Sequence, residues 1–252
     1  MIPINQSPKG TLALVGSGEY TDAMFEIESD LIADGVRKGK NGGYVQFATA
    51  AGEESESSIE YWKNLGKRQA EKIGVPWKFI PVFNSSDISN PDFINEVQGA
   101  SLIYFSGGNP VHLAQTFYQS ELLEVIKSEF LTGTSLAGCS AGAMVMADEV
   151  SIHWRKNKSS HKGFGILPEL KIFPHYDRYF GKIPTPLRKL ITHADEDQFS
   201  IGIDENTALI WNGVKWQVKG KSSVHILNKV PDLKENIFFA DEFLEFLAPP
   251  VI

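Results

Sequence analysis

Cysteine is almost absent from this chain, since Cys139 is the only one among 252 residues. A single thiol excludes an intramolecular disulfide and any zinc site built from several cysteines. The spacing of the His, Asp and Glu residues does not suggest a transition-metal site either. We therefore expect a site that works without a metal ion.

Long basic or apolar runs are also missing. The formal net charge is -7 and no Lys/Arg-rich run offsets it, which argues against a nucleic-acid partner. No apolar stretch approaches the roughly 20 residues of a membrane span. Residues 1–10 contain no basic segment that leads into a signal-peptide core. We expect a cytoplasmic protein without membrane contact.

The composition is that of an ordinary globular protein. Of the residues, 42% are hydrophobic and 22% charged, which is enough apolar mass for a full core. No internal repeat or low-complexity linker divides the chain, so we predict one domain over residues 1–252. For its assembly, a two-fold homodimer is the default expectation.

Short apolar runs alternate with helical patterns along the first 150 residues. The predicted strands cover 11–15, 44–48, 76–82, 102–105 and 134–138, and the predicted helices lie near 56–73, 91–99, 110–119 and 121–131. This alternation predicts βαβ units, in an α/β fold with a mostly parallel central sheet and helices on both faces. The loops at 16–20, 49–54, 106–110 and 138–142 should gather at the carboxyl edge of that sheet.

The C-terminal part has a different pattern. Short strands are predicted at 200–203, 208–211, 214–218 and 224–227, with Asn212-Gly213 as a hairpin turn. We expect these antiparallel strands to extend one edge of the sheet. Residues 151–165 are polar and contain glycine, which indicates a surface loop.

The segment Gly138-Cys139-Ser140-Ala141-Gly142 carries most of the functional information. It reads G-x-S-x-G between a predicted strand and a helix, where a nucleophilic serine stands clear of its backbone on a sharp turn. The alternative is a close-packed turn with a silent serine. Cys139 competes as nucleophile, but its neighbours two residues away are alanines, whereas Ser140 has a glycine at both places. We therefore prefer Ser140 and expect Cys139 to be buried.

A nucleophilic serine requires a base, and among six histidines His175 is the best placed. It follows a predicted strand, downstream of the serine. The others, which we expect to be surface or packing residues, are His112, His153, His161, His193 and His225. For the acid that orients the base, Asp177, Asp204 and Glu205 remain open.

Oxyanion donors would be the N–H of Ala141 and one N–H from Gly107-Gly108, although that glycine pair is equally compatible with a structural turn. The Gly16-Ser17-Gly18 loop lacks the third glycine of a dinucleotide-binding turn, and no P-loop Lys-Ser/Thr follows it.

Four segments together give a specific family resemblance. They are Phe105-Ser106-Gly107-Gly108-Asn109, Ala137-Gly138-Cys139-Ser140-Ala141-Gly142-Ala143, Phe173-Pro174-His175-Tyr176, and Ile201-Gly202-Ile203-Asp204-Glu205-Asn206-Thr207-Ala208. In order and spacing, over residues 10–230, the chain resembles the S51 serine peptidases, the dipeptidase E and cyanophycinase group. These share the fold of class I glutamine amidotransferases.

The resemblance implies a serine hydrolase that cuts a small peptide or isopeptide bond without metal or organic cofactor. It implies Ser140 as nucleophile, His175 as general base and Glu205 as the orienting acid. By the same analogy, Gly108 and Ala141 are the expected oxyanion donors.

The substrate stays open, because the chain departs from the family at two places. The closely spaced arginines of cyanophycinase-like members are not reproduced after the histidine, and Pro110 replaces a polar residue. Candidate substrate-binding residues are Asn109, Arg178 and Arg188, the arginines because guanidinium suits bidentate contact with a carboxylate. The alternatives are an esterase or amidase for a non-peptide substrate and an inactive small-molecule-binding protein of the same fold.

Overall fold

The computed structural model of the chain describes residues 9–150, 160–180, 183–184, 198–228 and 236–252. Its first strands are β1 Leu12–Val15, β2 Tyr44–Phe47, β3 Trp77–Phe79, β4 Leu102–Phe105, β5 Ser135–Cys139, β6 Glu149–Val150 and β7 His161–Lys162. The later strands are β8 Leu170–Phe173, β9 Phe199–Ile203, β10 Thr207–Trp211, β11 Trp216–Gly220, β12 Ser223–Ile226, β13 Ile237–Phe239 and β14 Phe243–Leu244. The α-helices are α1 Phe25–Arg37, α2 Glu56–Ile73, α3 Pro91–Val97, α4 Pro110–Phe117, α5 Glu121–Leu131 and α6 Ala141–Met144. Short 3-10 turns cover Thr49–Ala51 and Asp87–Ser89, and a π-helical turn covers Tyr176–Phe180.

The main sheet has eight strands in the spatial order β14-β11-β10-β1-β5-β4-β2-β3. The five strands from β1 to β3 in that order are parallel, and β10, β11 and β14 add antiparallel strands at one edge. This confirms the predicted α/β fold with a mostly parallel central sheet. None of the helices in the described ranges has the length and apolar character of a membrane span.

Alternation along β1 shows how helices come to cover both faces of the sheet. Leu12 and Leu14 pack into one hydrophobic cluster, together with residues of α4 and α5, while Ala13 and Val15 pack into a second, together with residues of α1 and α2. Successive side chains of a strand point to opposite faces, so a strand buried on both sides is apolar throughout. The short continuous apolar runs in the sequence have this origin.

Helix α1 is absent from the sequence-based prediction. Its buried residues Ile27, Leu31 and Ile32 recur at helical spacing and face the sheet. Gly35 lets the helix approach the strand layer, because a Cβ there would lie 2.5 Å from the carbonyl oxygen of Ser101. The apolar spacing of α1 was the available signal for this helix.

All four predicted C-terminal strands are present as β9 to β12, but only β10 and β11 extend the edge of the main sheet, so the predicted place of β9 and β12 is wrong. β9 and β12 join β8 and β13 in a separate four-stranded sheet, in the order β13-β12-β9-β8. Gly202 makes this sheet possible beside the π-helical turn, because a Cβ there would lie 2.5 Å from Cγ of Tyr176. The apolar pattern of a strand indicates burial but does not identify the strand it pairs with.

One buried acid gives the fold a pH dependence. Glu28 on α1 is 1% exposed and accepts hydrogen bonds from the Tyr20 N–H at 3.1 Å and the Tyr44 hydroxyl at 3.0 Å. Burial raises the pKa of Glu28 from its ordinary 4.5 to about 8, and these hydrogen bonds only partly offset the rise.

We expect Glu28→Gln to flatten the pH dependence of stability between pH 4.5 and about 8. In that window the folded wild type holds a proton that the unfolded chain has released. Its free energy of unfolding should therefore fall as pH rises, by at most about 1.4 kcal/mol per pH unit. Glutamine stays neutral and removes this term. Urea unfolding at the two ends of the window measures it, and equal slopes in both proteins would contradict the assignment.

Candidate active site

Ser140 lies at the sharp turn between β5 and α6. Its φ of 51° and ψ of -109° are unusual for a residue with a side chain, and they mark local backbone strain. Its N–H donates to the Val15 carbonyl at 2.9 Å, which ties the turn to β1. An added Cβ at Gly138 would collide with the backbone of Gly142, so this close approach requires glycine. The turn has the form of a nucleophile elbow.

Ser140, His175 and Glu205 form one continuous hydrogen-bonded chain. His175 Nε2 lies 3.1 Å from Ser140 Oγ, and His175 Nδ1 lies 2.9 Å from Glu205 Oε1. The smaller sheet brings the last two together, because β8 and β9 are parallel and pair Phe173 with Gly202. His175 comes two residues after that pair and Glu205 three residues after it.

Electrostatics fix the direction of these hydrogen bonds. The hydrogen bond with His175 lowers the pKa of Glu205, partial burial opposes this effect, and Arg178 at 3.2 Å lowers the pKa further. Glu205 is therefore ionised at neutral pH and can only accept. In neutral His175 the proton then lies on Nδ1, which leaves Nε2 free to accept the Ser140 hydroxyl proton.

The Gly107–Gly108 turn lies beside the serine. Gly108 has a φ of 139°, and a Cβ there would collide with the carbonyl group of Ala50. The Gly107 N–H is used inside the protein, since it donates to Glu19 Oε1 at 3.1 Å. Of the glycine pair, this leaves Gly108 as the candidate oxyanion donor. Gly108 and Ala141 both line a cavity of about 510 Å³ that also contains Ser140 and His175.

Glu19 is a buried acid that the sequence reasoning missed. It follows β1 and is 8% exposed. Its second oxygen accepts a hydrogen bond from the Cys139 thiol at 2.6 Å. Burial, together with Glu19, raises the pKa of this thiol well above its ordinary value. Cys139 is fully buried, as expected, and its raised pKa keeps it in the poorly nucleophilic thiol form. The only sequence signal for Glu19 was its place at the carboxyl end of a central strand.

Asp204, which follows β9, also has serine and histidine partners. Ser223 and His225 lie on β12, and Ser222 directly precedes that strand. His225 Nε2 lies 3.0 Å from Asp204 Oδ1 and 3.1 Å from Ser223 Oγ. One nitrogen meets both partners, so the imidazole cannot pass a proton between them as in a catalytic triad. Burial alone would raise the pKa of Asp204, but hydrogen bonds from His225, Ser222 and Ser223 hold it at about 2. This set stabilises the smaller sheet.

The candidate substrate-binding residues contact other parts of the protein. Asn109 Oδ1 accepts from the Val111 N–H at 3.1 Å and so caps α4, while its Nδ2 donates to Glu53 at 2.9 Å. Arg178 pairs with Glu205. Arg188 lies outside the described residues. Direct contact of these three residues with substrate stays a prediction.

Of the remaining histidines, His112 and His161 lie in the described ranges and contact residues other than Ser140. His112 Nε2 meets the Phe83 carbonyl at 2.7 Å, and His161 Nδ1 lies 3.2 Å from the Gln115 amide. His153 and His193 fall outside the described residues. Within the ranges that the structure covers, no three His, Cys, Asp or Glu side chains form a group able to hold a metal ion.

Comparison with known proteins identifies the family of this chain. The model of peptidase family S51 matches residues 12–219. The chain belongs to peptidase family S51. The predicted family resemblance is thereby confirmed, and S51 is a family of serine hydrolases.

Among solved structures, a peptidase from an acI-B1 Actinobacterium is 43% identical to this chain. It aligns with a TM-score of 0.87 over 95% of this chain and 98% of its own. A cyanophycinase from Synechococcus elongatus is 23% identical over 67% of this chain, and Peptidase E from Shewanella oneidensis is 28% identical over 54%. The alignments span 52% of the cyanophycinase and 61% of Peptidase E.

Proposed function

We propose that this S51 protein is a serine peptidase that hydrolyses a small peptide or isopeptide bond through Ser140, His175 and Glu205. The observation that carries the proposal is the hydrogen-bonded order of these side chains, at 3.1 and 2.9 Å. The strained elbow under Ser140 and the adjacent cavity support it. The related proteins described as peptidases support a peptide-type bond.

In the proposed acylation, Ser140 Oγ attacks the carbonyl carbon while its proton passes to His175 Nε2. The negative charge that develops on the carbonyl oxygen faces the N–H groups of Gly108 and Ala141. Glu205 remains ionised and stabilises the imidazolium through Nδ1. The tetrahedral intermediate then expels the amine, which takes the proton from Nε2, and Ser140 holds the acyl group as an ester.

Deacylation repeats these steps with water in place of the serine. His175 Nε2 accepts a proton from the attacking water, and the new tetrahedral intermediate expels Ser140 Oγ. The serine recovers its proton from Nε2, and the carboxylic acid leaves. Each proton taken up by the imidazole is thus returned, so no external acid, base or electron carrier is required.

The experiment that tests this proposal is labelling with a fluorophosphonate, which reacts with activated serines, followed by peptide mapping of the adduct. We expect one adduct, on Ser140. Ser140→Ala should abolish the label and Cys139→Ala should retain it, which separates the two adjacent nucleophiles. An adduct elsewhere, or no adduct together with no hydrolysis of a dipeptide and isopeptide panel, would overturn the proposal. Hydrolysis of esters with no hydrolysis of any peptide would favour the esterase alternative.

A further inference from the structure

The cavity beside Ser140 has an apolar wall. Its carbon-rich surface comes from Met144 on α6, from Ile172 and Phe173 on β8, and from Phe180 and Ile183. In the part of the chain that the structure describes, no Lys, Arg, Asp or Glu lines this cavity. A substrate side chain in it would leave water for hydrocarbon, which favours apolar groups and penalises charged ones.

Two charged side chains that the structure describes near the cavity, those of Arg178 and Glu53, have partners within the protein. Arg178 pairs with Glu205 Oε1, the oxygen that also contacts His175 Nδ1. Ser140 contacts the other ring nitrogen of His175, Nε2. Glu53 is engaged by the Asn109 amide at 2.9 Å. To pair with Arg178, a substrate carboxylate would have to displace Glu205.

We infer that the acyl part of the substrate, the residue whose carbonyl Ser140 attacks, carries an apolar or aromatic side chain. This inference rests on the proposed function. A carbonyl held between Gly108 and Ala141 lies in the same cavity as Met144, one helical turn beyond the serine. The side chain of the residue that carries this carbonyl therefore shares the cavity with the apolar wall. Burial of a leucine or phenylalanine side chain there corresponds to about 10-fold to 100-fold in affinity.

Binding of uncleaved dipeptides to the Ser140→Ala variant tests this inference without requiring catalysis. Phe-Leu, Leu-Leu, Asp-Leu and Arg-Leu share the leaving residue and differ only on the acyl side. By calorimetry we expect Phe-Leu and Leu-Leu to bind at least about 10-fold more tightly than Asp-Leu or Arg-Leu. Equal or tighter binding of Asp-Leu or Arg-Leu, or absence of binding by both apolar dipeptides, would overturn the inference. Failure of the proposed function is read separately, from the fluorophosphonate adduct on the unmodified protein.

A matched pair of substitutions tests whether the preference for apolar dipeptides arises in this cavity. Met144 and Val125 are both half-buried apolar residues packed against the same core cluster, but only Met144 lines the cavity. In the Ser140→Ala background, Met144→Ala should weaken Leu-Leu binding by about 5-fold to 10-fold, because it removes part of the wall. Val125→Ala should leave that binding unchanged. Equal effects of the two substitutions would contradict the assignment of this cavity.

A separate observation concerns Glu19. Its two carboxyl oxygens join the two loops from which the proposed oxyanion donors come: one accepts from the Gly107 N–H and the other from the Cys139 thiol. Gly107 immediately precedes Gly108, and Cys139 lies two residues before Ala141. An oxyanion donor must be held close to its productive position before the reaction starts.

We propose that Glu19 is a positioning residue that fixes the Gly107–Gly108 peptide against the elbow. This second inference also rests on the proposed function. Glu19 is 8% exposed, and each of its carboxyl oxygens already accepts a hydrogen bond, from Gly107 or from Cys139. Its removal should therefore affect kcat far more than KM.

Three variants test the role of Glu19. We expect Glu19→Ala to lower kcat about 10-fold to 100-fold at unchanged KM. Glu19→Gln should recover most of the activity, because the amide oxygen still accepts from Gly107. Cys139→Ala removes only the contact to the elbow and keeps the contact to Gly107, so it should lower kcat less than Glu19→Ala does. Unchanged kcat in Glu19→Ala, or loss of kcat that glutamine does not rescue, would overturn the inference. An adduct on Ser140 of the wild type keeps this result distinct from failure of the proposed function.

Discussion

Ser140→Ala is expected to lower kcat by about 10⁶-fold, the largest effect of any single substitution in this chain. The change removes only Oγ, whose hydrogen-bond partner is His175 Nε2 at 3.1 Å. Alanine retains the Cβ that the strained backbone already accommodates, so the melting temperature should stay close to that of the wild type. Turnover of a peptide that the wild type cleaves gives the kinetic effect, and thermal unfolding gives the control.

The double variant Ser140→Ala/His175→Ala makes this prediction sharper. His175 acts on the substrate through the serine proton, so its removal should cost nothing further once Oγ is absent. We expect His175→Ala alone to be nearly as inactive as Ser140→Ala, and the double variant to match either one. A double variant whose loss equals the product of the two single losses would show that the residues act independently, against the hydrogen-bonded arrangement.

The sequence was sufficient to predict the elbow because the local constraint is severe. Ser140 requires small neighbours on both sides, and an added Cβ at Gly138 or Gly142 would collide with backbone. The same pattern distinguished Ser140 from Cys139, which the structure buries completely. Steric demands of this kind act over a few residues, so they are readable in a linear pattern.

Pairing between distant strands was less predictable. The apolar character of β9 and β12 indicates that they are buried, and no local property indicates that they form a second sheet with β8. This pairing nevertheless determines where His175 and Glu205 lie, because the parallel register of Phe173 with Gly202 brings the residues after both strands together. The distance from His175 to Glu205 is thus a consequence of tertiary structure that only the family resemblance anticipated.

Glu19 illustrates a further limit of sequence reasoning. A single acid after a strand has no periodicity, and its importance comes from the two loops that it joins in space. Helix α1 is the opposite case, since the spacing of Ile27, Leu31 and Ile32 contained the signal. The turn signals of Gly16 and Gly18, which come shortly before this helix, obscured its beginning in the sequence.

The choice among Asp177, Asp204 and Glu205 was open from the residues alone, and the structure gives the three carboxylates different partners. Asp177 Oδ1 accepts a hydrogen bond from the Glu205 N–H at 3.0 Å. The other two acids lie after the end of β9, Asp204 directly after Ile203 and Glu205 in the turn that leads to β10. Asp204 is 3% exposed and faces His225 on β12, whereas Glu205 faces His175. Two adjacent acids, each bonded to a histidine, thus have different partners and should have different mutant phenotypes.

Glu205→Gln is expected to lower kcat by about 10⁴-fold with little change in stability. The amide is neutral, so it no longer stabilises the imidazolium that forms when His175 takes the serine proton. Its NH₂ group can also face Nδ1, which favours the ring form that carries its proton on Nε2 and cannot accept from Ser140. The kcat of the variant, measured on a peptide that the wild type cleaves, gives the size of this effect.

Asp204→Asn is the matched control, one residue away and equally isosteric. It should keep kcat within a few-fold and lower stability instead. The wild-type carboxylate, with a pKa of about 2 against an ordinary 3.8, stabilises the fold above pH 3.8, and this contribution is lost as pH falls toward 2. The asparagine variant should therefore unfold more easily at neutral pH and lose less stability on acidification. If Asp204→Asn abolished turnover while Glu205→Gln retained it, the orienting acid would have to be reassigned, because the phenotypes would then follow the His225 contact and not the His175 contact.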